Sequence, residues 1–196
     1  MATNASLPPD AGLARMEVGH ASAAEALNTN ENPEASILSD LAPADELWMK
    51  EALDAAQRAL EMGEVPVGAA VVQDGRIIAR GWNRNIVDHD PTAHAEVVAL
   101  RAAGEILGNH RLGGCTLFVT IEPCAMCVGA LVQARIARLV YGADDPKAGA
   151  VHSALTVLNH PRLNHKMEVV RGVLAGRCAE MVQSFFRERR GQAQDL

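Results

Sequence analysis

Aromatic residues are scarce in this chain. Two Trp, one Tyr and three Phe make up 3% of its 196 residues. A core built with so few rings is filled mainly by Ala, Val, Leu and Ile, which the 48% hydrophobic share supplies. No apolar run approaches the roughly 18 residues that a membrane span requires, so no spanning segment is expected. The start of the chain lacks a basic stretch followed by an apolar one, so no secretion signal is expected either. Cysteine is limited to four residues. Two of them form the pair Cys124-x-x-Cys127, while Cys115 and Cys178 stand apart. In the reducing cytoplasm that these features suggest, a close pair points to metal or redox chemistry rather than to a structural disulfide. There is no second CxxC, no second His at metal spacing from His94 and no internal repeat.

What charge there is lies unevenly. The formal net charge is -6. Residues 1–43 hold Asp10, Glu17, Glu25, Glu31, Glu34 and Asp40 against Arg15 alone, a net of -5, so the remainder is close to neutral. Rich in Ala, Asn, Ser, Pro and Glu and without sustained periodicity, residues 1–41 are predicted to be a disordered acidic leader, with at most a transient helix at Ala21–Leu27. Near the other end the sign reverses. Between Arg162 and Arg190 seven basic residues face three acidic ones, a local +4 that suits either a solvated helix face or contact with a polyanion. One folded domain over 42–190, followed by a flexible tail over 191–196, fits the length.

Periodicity predicts a helix over about 44–62, with Trp48, Ala52, Leu53, Ala56, Ala59 and Leu60 on one stripe and Gly63 ending it. Strands over 65–73 and 76–81 flank Asp74-Gly75, a two-residue hairpin signal. A polar loop over 83–92 leads to a helix over about 93–104. A buried strand follows over 115–121, then a helix opened by Pro123 and running to Ala134, and a short strand over 136–141. Beyond a Gly/Asp/Pro loop come a short helix over 155–158, an edge strand over 166–171 and a closing helix over about 175–190. Strands alternating with helices imply an α/β layered domain.

Chemistry concentrates in two places, His94-Ala95-Glu96 and Pro123-Cys124-Ala125-Met126-Cys127, each where a helix is expected to begin. Cysteines three apart project from one face of a first helical turn. A helix N-terminus favours the thiolate, which is the form that binds metal. With His94 as third donor, Cys124 and Cys127 make a set of three protein ligands. A structural zinc site is usually closed by four, whereas a catalytic one keeps a position open for water. Glu96, two residues from His94, is placed to move protons beside the metal. H-x-E followed by P-C-x-x-C is the signature of zinc-dependent base deaminases. Cys115 and Cys178 read as inert packing, and His89, His110, His152, His160 and His165 as loop or surface residues.

The chain resembles the bacterial tRNA-specific adenosine deaminases of the cytidine-deaminase superfamily. The resemblance runs from about Leu41 to Arg190. It rests on Glu64–Ala69, Gly81-Trp82-Asn83-Arg84, His94-Ala95-Glu96, Thr120–Cys127, Tyr141–Lys147, Asn164-His165 and Phe185-Phe186-Arg187. It implies a three-layer α/β/α cytidine-deaminase-like fold with a central mixed sheet, a cytoplasmic homodimer and one zinc ion per subunit. It also implies hydrolytic conversion of the wobble adenosine of a tRNA anticodon to inosine. In that reaction zinc-activated water attacks C6 of adenine, and Glu96 shuttles protons to the ring nitrogen and to the leaving ammonia. Asn83 and the Ala95 backbone resemble groups that orient the purine. Pro66, Asp145, Phe186 and Arg187 match positions that meet substrate, with the anticodon stem-loop as partner. Each also has a plain structural reading: Asn83 as a turn cap, Asp145 as a turn former before Pro146, and at least one of Phe185 and Phe186 as core. Two other functions share features with this one. A small-molecule deaminase of guanine or cytosine has the same zinc site, and a non-catalytic RNA-binding subunit is expected to lack the Glu96 carboxylate that is present here.

Overall fold

A computed structural model describes residues 43–158 and 160–194. The acidic leader over 1–41, with Ala21–Leu27, lies outside the described residues. The first helix, α1 (Pro43–Glu61), opens on a proline whose missing N–H has no intrahelical partner to lose. Asp45 and Glu46 lie at its positive end and Arg58 at its negative one. Its buried face is made of Met49, Ala52, Leu53, Ala56 and Ala59, at helical spacing. Then come β1 (Gly68–Gln73) and β2 (Arg76–Trp82), joined at Asp74 and Gly75. Both turn residues have positive φ, 50° and 69°, as the twist of a tight hairpin demands. The chain continues through α2 (Ala95–Leu107), β3 (Thr116–Ile121), α3 (Ala125–Ala134), β4 (Arg138–Ala143), β5 (Glu168–Arg171) and α4 (Ala175–Gln194).

The five strands form one mixed sheet in the order β2-β1-β3-β4-β5. β1 runs antiparallel to both β2 and β3, while β3, β4 and β5 are parallel. Side chains alternate across it. Ala69, Val71, Leu117, Val119, Leu139 and Tyr141 join one core with α2 and α3. Ala70, Val72, Phe118 and Val140 join another with α1 and α4. This is the expected three-layer α/β/α arrangement. Among the described residues no helix is long and apolar enough to cross a membrane.

Few rings and many alanines let helices lie close on the sheet. A Cβ at Gly68 would overlap the backbone of Ala52 and Ala56 in α1, and one at Gly81 would overlap the backbone of Ala95 and Ala99 in α2. The far end of the sheet is tied by ions. Arg138 donates to Asp45 at 2.7 and 2.8 Å and to Glu168 at 2.8 Å, joining the starts of α1, β4 and β5.

Several element boundaries differ from expectation. Residues 65–67 are not strand: Pro66 has no N–H for a ladder, and pairing begins at Gly68. α3 starts at Ala125 rather than at Pro123, because residues 123–124 are held extended. Ala150 donates to the Pro123 carbonyl, and Cys124 bridges to Gly149. Residues 155–158 form no helix. The amides of Ala154 and Leu155 turn back to the Gly149 carbonyl, and that of Val157 to Ala150. β5 begins at Glu168, and α4 runs on to Gln194, through four of the six residues expected as tail.

The contact at Gly81 is testable. Gly81→Ala is expected to destabilise the protein by about 1–3 kcal/mol through overpacking against α2. Gly113→Ala, where a Cβ meets open space, is expected to change stability by only about 0.5 kcal/mol or less. Urea unfolding midpoints of the two variants read the difference.

Candidate active site and metal centre

The strands of the parallel half end at Ile121 and Ala143, where two helices begin. His94 is the N-cap of α2 and Cys124 the N-cap of α3, both with extended backbone (ψ 151° and 172°). Neither side chain caps its own helix, so both are free to turn to a common point. There His94 Nδ1 lies 3.7 Å from Cys124 Sγ and 3.6 Å from Cys127 Sγ. In a tetrahedral zinc site, with metal–sulfur bonds of about 2.3 Å and metal–nitrogen bonds of about 2.05 Å, nitrogen and sulfur ligands stand roughly 3.6 Å apart. The residues therefore fit zinc. Among the described residues no fourth His, Cys, Asp or Glu joins the group, the ligand count of a catalytic rather than a closed structural site. The Cys124 thiol is held down at about 3 by its hydrogen bonds with Cys127 and then His94, despite partial burial. Cys127, the other end of that bond and more deeply buried, is pushed upward.

Glu96 stands on the first turn of α2 and is 4% exposed. Burial is the chief influence on its carboxyl and raises its pKa above the usual range. Such a group holds and releases a proton closer to neutral pH than an ordinary glutamate does. It lines a cavity of about 120 Å³ together with Val67, Asn83, His94, Ile121, Glu122, Cys124, Asp145 and Ala148. That is small beside the roughly 300–1,000 Å³ of sites that engulf drug-sized ligands.

The remaining residues singled out in the sequence are only partly brought together. Asn83 Oδ1 accepts from the Ala95 N–H at 3.0 Å, and its Nδ2 donates to the Val65 carbonyl at 3.1 Å. It thus caps α2 in place of His94, while lining the cavity. The two groups expected to orient a purine satisfy each other. Asp145 is the turn former expected before Pro146, and it also reaches the cavity. Its Oδ1 accepts from the amides of Lys147 and Ala148 at 2.9 and 3.2 Å, forming the turn, and the residue lines the cavity. Pro66 is buried, and its neighbour Val67 does the lining. Phe185 is core at 6% exposure, whereas Phe186 is 42% exposed. Phe186 borders a second cavity of about 540 Å³ that shares Val67, Ile121 and Asp145 with the first. Arg187 is bound to Glu180 at 2.7 Å on the outer face of α4, and Arg189 lies 4.9 Å over the Phe185 ring. Cys115 and Cys178 are buried; burial raises both thiols, that of Cys178 to about 11.

Besides Asp45 at the far end of the sheet, two buried acids have no role assigned from sequence. Glu64 accepts the amides of Ile86 and Val87 at 2.7 and 2.9 Å and shapes the loop that follows Asn83. Glu122 accepts from the amides of Asp145, Val151, His152 and Ser153 at 3.1, 3.1, 2.6 and 2.9 Å, and from the Ser153 hydroxyl. Burial works against its charge, but the hydrogen bonds from Ser153, His152 and Asp145 outweigh it and hold the carboxyl at about 2. Their places in the Glu64–Ala69 and Thr120–Cys127 motifs were the signal available.

A sequence family described as MafB19-like deaminase matches residues 44–190. The tRNA-specific adenosine deaminase of Haemophilus influenzae is 49% identical over 147 residues, which cover 74% of this chain and 85% of that protein. The enzyme of the same description from Bacillus subtilis is 48% identical, over 74% of this chain and 91% of that one. A solved structure from a study of A-to-I editing by tRNA:A34 deaminases at the wobble position of transfer RNA is 47% identical. It superposes with a TM-score of 0.67 over 69% of this chain and 98% of its own. The guanine deaminase of Nitrosomonas europaea, at 22% identity and a TM-score of 0.62 over 84% of this chain and 98% of that one, shares the fold. By matched span, identity and geometry, this chain belongs to the tRNA-specific adenosine deaminase family.

Proposed function

We propose that this protein converts adenosine to inosine at the wobble position of tRNA anticodons, by hydrolysis, with one zinc ion per chain. The observation that carries the chemistry is the meeting of His94 Nδ1 with two cysteine sulfurs at 3.6 and 3.7 Å beside a buried Glu96. When bound, zinc supplies Lewis acidity that lowers the pKa of a water toward neutrality. His94, Cys124 and Cys127 would hold it. Glu96 takes a proton from the attacking water and passes it to the purine ring nitrogen next to C6, then to the departing ammonia. Its burial raises its affinity for that proton and so favours the first of these transfers. Asn83, held by the Ala95 amide, meets the purine from the cavity wall that it shares with Asp145, and Phe186 and Arg187 on α4 are the groups for the RNA beyond it. The overall change balances as adenosine plus water giving inosine plus ammonia.

A free-base deaminase would use the same metal residues. The RNA reading is preferred because the relatives of 48–49% identity are tRNA-specific adenosine deaminases. A non-catalytic subunit is disfavoured by the Glu96 carboxylate beside the three donors. Family membership supports extending the proposal to a homodimer, and tRNA as substrate supports a cytoplasmic enzyme.

Incubation with an anticodon stem-loop is expected to yield inosine at the wobble position, while free adenine, guanine and cytosine stay unchanged. Turnover of a free base without inosine in the RNA would sink the reading. Glu96→Ala is expected to lower kcat by about 10²–10⁴-fold while metal content stays at that of the parent. Near-normal turnover would remove Glu96 from the mechanism. Elemental analysis is expected to find about one zinc per chain, and its removal by a chelator to abolish activity reversibly.

A further inference from the structure

The loop over 144–153 carries Asp145 to the cavity, yet it has no regular secondary structure of its own. Its fixed point is Glu122, which lies two residues before the metal-site Cys124. One carboxylate oxygen accepts the consecutive amides of Val151, His152 and Ser153. The other accepts the Asp145 amide and the Ser153 hydroxyl. The two ends of the loop are thus gathered onto one side chain that is 3% exposed. Gly149 packs against the same carboxylate so tightly that a Cβ there would overlap it, and the Asp145 carbonyl also lies 2.7 Å from that position. The Cys124–Gly149 bridge and the bond from the Ala150 amide to the Pro123 carbonyl close the arrangement.

We propose that Glu122 is a positioning residue: its carboxylate fixes Asp145 at the lip of the cavity relative to Glu96 and the three metal-site donors. It does so through the backbone, by holding the Asp145 amide, while the Asp145 side chain stays on the turn of Lys147 and Ala148 and on the cavity wall. Five donors on one carboxylate leave it little freedom, so one rigid group sets the spacing between lip and metal side, with the Gly149 and Ala150 contacts beside it. The kinetic part of this proposal rests on the reading of the site as an RNA adenosine deaminase. The structural part does not.

The deciding variant is Glu122→Gln in the full chain. Its amide oxygen still accepts the three amides of residues 151–153, but its NH₂ group then faces the Asp145 N–H, donor against donor. Hydrogen exchange at the Asp145 amide is expected to accelerate about tenfold or more, with α2 and α3 amides unchanged. With anticodon stem-loop RNA, KM is expected to rise about tenfold while kcat stays within about twofold. Combined with Asp145→Asn, the double variant is expected to be no worse than the poorer single one, within about twofold, because both act on one contact. Unchanged exchange at Asp145, or losses that multiply in the double variant, would overturn the proposal. If Glu122→Gln does not fold, Ser153→Ala loosens the same carboxylate oxygen, and a smaller change in the same direction is expected in each measurement. A parent chain that makes no inosine refutes the RNA reading, and the exchange measurement then decides the role of Glu122 on its own.

Discussion

The close seat of α2 on the sheet at Gly81 is the constraint on which the site depends. His94 and Glu96 stand at the start of that helix, and Cys124 and Cys127 come from α3, which packs beside it in the same core. A side chain as small as a methyl group at position 81 would meet the backbone of Ala95 and Ala99. Any shift that made room for it would carry the imidazole away from the two sulfurs. The scarcity of aromatics has the same logic. Layers filled by Ala, Val and Leu bring helix and sheet backbones close, and two N-termini can then converge at one edge of a small domain.

Much of this was legible in the chain because it depends on local rules. Asp74-Gly75 demands a turn with positive φ, and both residues adopt it. His94-x-Glu96 and Cys124-x-x-Cys127 carry their own spacing, and a three-residue separation at a helix start decides which atoms can meet. Glu64 and Glu122 were not legible as organisers. Their partners are backbone amides of residues 22 to 31 positions away, and an amide has no identity in a sequence. The expected helix over 155–158 failed for a related reason. The amides of Leu155 and Val157 are taken by the Gly149 and Ala150 carbonyls, next to a loop whose amides Glu122 holds.

Glu96 and Glu122 show how far environment separates two buried carboxylates on the wall of one cavity. Burial dominates at Glu96 and favours the protonated form. At Glu122 burial is outweighed by donors on both oxygens, and the group stays ionised down to about 2. A proton carrier must change state near working pH, whereas an anchor must not. The proposed division of labour thus rests on a difference in hydrogen-bond donors rather than in residue type, which is why composition gave no hint of it.

The shape of the site bears on RNA against free base. The smaller cavity has a volume of about 120 Å³. It shares Val67, Ile121 and Asp145 with the larger one, which is bordered by Phe186 and Lys147. A free base has nothing that reaches across that shared wall, so the second cavity adds nothing to its binding. In the proposed RNA reading a nucleotide in a strand does, its sugar and neighbours leaving the pocket past Asp145 toward the exposed Phe186 ring, which is suited to stacking. Fixing Asp145 from the metal side through Glu122 would therefore tie the choice of a polynucleotide to the geometry of the chemistry, since the same carboxylate sits two residues from Cys124.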